Sequence, residues 1–234
     1  MHYYTIGSVF TVIERVFEKH NLRDSYVICS KNMIKQVIKL SNMSSSSNYI
    51  NLETKHETYH SMCKLINNNT GIKDIFNDTF KDYYSSIKFI NSLLKDINLI
   101  VSHIRTCIIN RNDGVEESLD ASKTHYKILW NLCTMNNTSK ILLDPVILDE
   151  MLRTINYTVK TISQFLLNYK FSCDPQDLIK YIHIVFETII EINSSKKVDM
   201  KNALEYSKDS YTQTMEFYIK KEINYDLVKI LEIL

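Results

Sequence analysis

Glycine and proline are scarce in this chain, with three Gly and two Pro among 234 residues. These residue types punctuate turns and sheet edges, so their shortage excludes a fold of many short strands and points to long, uninterrupted elements. Three glycines cannot build a phosphate-cradling loop either, and no GxxxxGK[ST], GxGxxG or GxSxG string occurs. The five cysteines, Cys29, Cys63, Cys107, Cys133 and Cys173, are odd in number, stand singly and form no CxxC pair. That pattern argues against a disulfide framework and for reduced thiols in a cytoplasmic compartment. No apolar run approaches the ~20 residues that a bilayer span requires, and Glu14, Arg15 and Glu18 interrupt the apolar stretch near the start, spoiling a signal-peptide core. An excess of one charge is missing as well: 28 Lys and Arg face 27 Asp and Glu, for a net charge of +1. Nucleic-acid binders draw most of their affinity from concentrated positive charge, so a nucleic-acid partner is not expected.

What the chain does have is hydrocarbon at helical spacing. Phe76, Phe80, Tyr83, Ile87, Ile90, Leu94, Ile97, Val101, Ile104 and Ile108 are separated alternately by four and three positions, which places them on one face of a helix and on no single face of a strand. Leu148, Leu152, Ile155, Val159, Ile162, Leu166 and Tyr169 repeat the spacing, as do Leu178, Ile182, Val185, Ile189 and Ile192. The expected fold is all-α: an elongated bundle of about seven helices around a long central helix near residues 72–110. Phe89, Leu93, Ile100 and Ile109 widen the first seam beyond a two-stranded coiled coil, so the helix carrying it needs more than one neighbour. Asn77, Asp78, Thr79 and Asp82 are weak helix formers and good caps, which marks the place where that helix would break.

Local signals set the remaining boundaries. Gly71 follows Asn68, Asn69 and Thr70 and reads as the left-handed stop of a helix over 52–67. Glu116 and Glu117 suit a helix N-terminus, and Asp144-Pro145 and Asp174-Pro175 each place an acidic cap before a proline at the first helical position. The short link from Tyr169 to Asp174 predicts antiparallel packing of the two helices it joins. The serine-rich stretch at 41–49 reads as a flexible loop within a single domain spanning 1–234.

One motif carries chemistry. His56-Glu57-Thr58-Tyr59-His60 fits HExxH, in which two imidazoles a helical turn apart hold Zn²⁺ and the intervening Glu polarises a bound water. Cys63, one turn beyond His60, is a further metal ligand on the same side. Zincins add a downstream third ligand and a sheet edge, and neither is visible here. Leu52, His56, Tyr59, Cys63 and Ile66 are themselves spaced as a seam, which makes His56 and Cys63 core positions of a structural helix instead.

The leading expectation is therefore a non-enzymatic helical protein that binds a protein partner, its own kind included, with no cofactor. The C-terminal face of Leu227, Ile230, Leu231 and Leu234 either closes the bundle or serves as a candidate docking surface, closure being the stronger expectation. The alternatives are a zinc hydrolase using His56, His60 and Cys63 with Glu57 as the catalytic residue, and a homo-oligomeric assembly protein. Abundant Ile and Asn, with Ala only at Ala121 and Ala203, resemble the coding bias of AT-rich genomes such as those of large DNA viruses. For a viral protein, host modulation or a virion-associated scaffold would be natural roles.

Overall fold

In the computed structural model the described residues are 70–110, 114–139, 141–142, 144–166 and 176–195, with Val12, Arg15, Asn32, 34–36, 55–56, 58–60, 62–63 and 66. They form an all-α bundle without strands: α1 Thr70–Thr79, α2 Tyr83–Asn110, α3 Val115–Cys133, the single turn α4 Asn136–Ser139, α5 Pro145–Leu166 and α6 Gln176–Ser195. The described positions between 55 and 66 are helical too. None of these helices is long and apolar enough to cross a membrane.

The predicted helix over 72–110 is broken. α1 ends at Thr79, where the side-chain Oγ1 donates to Ile75 O at 2.7 Å. Asp82 then caps α2: Ser85 N–H donates to Asp82 Oδ2 at 2.9 Å and Ser86 N–H to Asp82 O at 3.1 Å. The short polar side chains offer the backbone partners outside the helical ladder, which is why the interruption falls there. It also rotates the seam. Phe76 and Phe80 remain buried, with rings packed edge to face at 4.9 Å, whereas Tyr83 emerges to solvent. From Ile90 to Ile108 the seam is buried as its spacing predicts, and Phe89, Leu93 and Ile100 are buried beside it, whereas Ile109 is exposed.

Among the described residues that wide stripe has three neighbours. α3 returns antiparallel after the turn at Gly114, with His103 Nδ1 3.0 Å from Ser118 Oγ. α5 lies alongside α2 and runs in the same direction: Tyr83 OH donates to Asp144 Oδ2 at 3.0 Å near both N-termini, and farther along Asn98 Nδ2 donates to Thr154 Oγ1 at 3.2 Å. The 55–66 helix runs against α2, with Lys55 opposite Asp96 and Tyr59 opposite Phe89. The centre of the bundle is thus shared between α2 and α3.

Several boundaries differ from expectation. Gly71 lies inside the first turn of α1 rather than stopping a helix. Gly114 N-caps α3 at φ −77°, an ordinary conformation; its lack of a side chain leaves room for Cys107 Sγ, 3.4 Å from where a Cβ would stand. α6 packs mainly on α3, where Tyr181 meets Trp130 with ring centroids 6.4 Å apart and Lys127 Nζ lies 5.2 Å over the Tyr181 ring. These aromatic contacts give α6 a partner other than α5. The Asp144-Pro145 device forms as predicted, with Val146 N–H donating to Asp144 Oδ1 at 3.0 Å. The serine-rich stretch, Asp174-Pro175 and the face of Leu227, Ile230, Leu231 and Leu234 lie outside the described residues.

Candidate functional site

Two places on this frame depart from ordinary partition of polar and apolar groups, and both involve α2. The first faces the 55–66 helix. Lys55 and Asp96 are 0% and 1% exposed, and the ammonium donates to both carboxylate oxygens, at 3.2 and 2.9 Å. One turn along, the Tyr59 ring packs edge-on against Phe89 at 6.2 Å and against His125 at 5.1 Å. His125 is fully buried; its Nδ1–H donates to Ala121 O at 2.7 Å, and its Nε2 has no hydrogen-bond partner among the described residues. Burial pushes its pKa down to about 3, assisted by the neighbouring charges of His56 and Lys55 and opposed by the Ala121 carbonyl. The ring is therefore neutral at any physiological pH.

Tyr59, Cys63 and Ile66 of the expected stripe are buried, and Lys55, Thr58 and Met62 are buried beside them. His56 lies instead at the rim, 20% exposed, with Nε2 3.4 Å from Asp120 Oδ2. His60 is exposed beside it, the two rings 6.1 Å apart and tilted by 58°. The other oxygen of Asp120 is held by Lys123 at 3.0 Å. Burial disfavours the charged form of Asp120, but Lys123, then His56 and His60, outweigh it and hold the carboxyl below its ordinary value. The two imidazoles of HETYH are thus brought together at the edge of an acidic side chain. Cys63 is not with them: it is buried, with Sγ 4.0 Å from Thr124 O, and burial pushes its thiol up to about 12. Glu57 lies outside the described residues. Among the described residues no three His, Cys, Asp or Glu side chains are grouped to hold a metal ion.

The other described thiols are similarly placed. Burial raises Cys133 to about 12. Cys107 Sγ lies 3.5 and 3.6 Å from the two ring nitrogens of His103, yet burial and the Glu117 carboxylate raise its pKa as well. A thiol nucleophile requires the opposite shift.

The second place is the outer surface between α2 and α5. An open groove of about 650 Å³ is lined by Asn91, Lys95, Asn98 and Leu99 from α2 and by Val146, Glu150 and Tyr157 from α5. At its upper end Val146 is 76% exposed, and so is Tyr84, whose ring packs on Tyr83 at 6.0 Å. The Tyr83 hydroxyl bonded to Asp144 ties that aromatic pair to the start of α5. Lys95 and Glu150 stand on opposite walls, and neither is ion-paired with a described residue.

Sequence reasoning singled out neither Tyr84 nor Val146. The available signal was slight: each falls in the first turn of a helix, just past Asp82 and Pro145, where the seam has not yet been engaged by a neighbour. No family model, no curated protein and no solved structure matches the chain.

Proposed function

We propose that this chain is a non-enzymatic helical interaction protein and that it binds through the outer face of α2 and α5. One observation carries the reading: Val146 on the groove wall and Tyr84 in the first turn of α2 are left three-quarters exposed. Covering a side chain of this size contributes about 1.5–3 kcal/mol, and aromatic residues ringed by polar ones are the usual composition of a protein interface. The parallel helices fixed by the Tyr83–Asp144 and Asn98–Thr154 hydrogen bonds give the face a rigid floor.

A photo-reactive benzophenone amino acid placed at Tyr84 tests this, with the same group at exposed Lys81 as control. Irradiation should trap one discrete protein adduct from position 84 and none from position 81. A featureless smear from both positions, or no adduct at all, contradicts the proposal. The zinc-hydrolase alternative draws on the adjacency of His56 and His60 beside Asp120. Stoichiometric zinc in protein purified without chelator would support it, and a metal-free protein that takes up no zinc on dialysis would end it.

A further inference from the structure

We infer that the face formed by α2 and α5 is covered by a second copy of this chain, related by a two-fold axis running along the helices, so that α2 of each protomer lies on α5 of its partner. The inference rests on the protein-binding reading above and adds the identity and orientation of the partner.

The argument is one of charge and height. Lys95 lies one turn before Asn98, and Glu150 lies one turn before Thr154. Asn98 and Thr154 are hydrogen-bonded across the interface of two helices running in the same direction. Lys95 and Glu150 therefore stand at the same level on the two walls of the groove, one positive and one negative. Two faces of this kind meet under a two-fold axis in one of two ways. With the axis across the helices, α2 meets α2 and α5 meets α5, and an axis at the level of the two charges sets Lys95 against Lys95 and Glu150 against Glu150. With the axis along the helices, α2 meets α5 on both sides. Lys95 then faces Glu150 of the partner subunit, and Glu150 faces the partner's Lys95. Only the second arrangement pairs every charge, and isologous symmetry supplies both pairs from a single surface. An unrelated partner helix would need an acid on one flank and a base on the other at matching heights; this chain carries both already.

The apolar part of the face lies toward the N-termini of the same two helices, where Tyr84 and Val146 are exposed and would be covered by the partner subunit. On the groove wall, Asn98 Nδ2 is used by Thr154, while Asn98 Oδ1 is buried with no hydrogen-bond partner among the described residues.

Sedimentation equilibrium of the purified full chain, of Lys95→Glu, of Glu150→Lys and of the double exchange tests the inference. The wild type should sediment at twice 27.5 kDa. Each single reversal sets like charges against each other at two symmetry-related points and should weaken dimerisation by about tenfold or more, and the double exchange should restore it. A wild type that stays at 27.5 kDa at all concentrations, or a dimer indifferent to the single reversals, overturns the inference. So does a double exchange no better than the singles. If the wild type is monomeric while benzophenone at position 84 still traps a discrete foreign protein, self-association fails and the protein-binding reading stands; if neither occurs, both fail.

Discussion

The two faces of α2 place the wrong kind of group on each side, and they resolve it differently. Inward, toward the 55–66 helix, a lysine and an aspartate sit in the core; outward, toward the groove with α5, a tyrosine and a valine sit in water. The buried charges answer one another within the chain, at 2.9 and 3.2 Å. The exposed hydrocarbon has no such answer among the described residues. A buried charge that is paired belongs to the structure, whereas an apolar patch beside an open groove has its counterpart elsewhere.

Breaking the inward pair should have the largest effect. Lys55→Met leaves Asp96 ionised in a dry site and should cost about 3–5 kcal/mol of stability, whereas Lys55→Met with Asp96→Leu should be near neutral or stabilising. Urea unfolding of the three proteins checks this. Equal losses in the single and double variants would mean that the pair is accessible to water and that the inward face is not as dry as its burial implies.

A smaller effect follows from the neighbouring histidine. His125 has a folded pKa of about 3, below its ordinary 6.5, so the unfolded chain binds a proton that the folded chain refuses. Its contribution to stability is therefore complete above pH 6.5 and is lost as pH falls from there toward 3, by up to ~1.4 kcal/mol per pH unit for one proton. His125→Gln should flatten this part of the stability–pH curve, as followed by denaturant midpoints at a series of pH values. An unchanged slope would assign the acid sensitivity to other groups.

The outward face should show the least effect on folding. Tyr84→Ser with Val146→Ser removes two large apolar groups, yet stability should stay within about 0.5 kcal/mol of the wild type, because neither side chain packs into the core. The same variant should lose the dimer. A clear drop in thermal midpoint would make these residues part of the fold and erase the contrast between the faces.

Most of the frame was legible because it depends on local periodicity. The buried run from Ile90 to Ile108, the break before Asp82 and the Asp144-Pro145 start all follow from residues within a few turns of one another. The sites depend on distant pairings instead. Lys55 is tolerated in the core only because Asp96, 41 positions away, meets it. Periodicity therefore found the buried Tyr59, Cys63 and Ile66 but placed His56, which lies at the rim, in the same stripe; the buried neutral imidazole is His125. The groove is harder still: Tyr84 and Val146 are exposed because no described helix covers them, and no residue pattern within α2 or α5 announces that.

Oxidative footprinting of Tyr84 tests the central claim, that the outer face of α2 and α5 is covered when the protein works. Hydroxyl-radical labelling in clarified lysate of the source should leave Tyr84 protected relative to exposed Ile109, and dilution of the purified chain to nanomolar concentration should bring its reactivity up. Equal and rapid labelling of Tyr84 in both conditions would contradict the account.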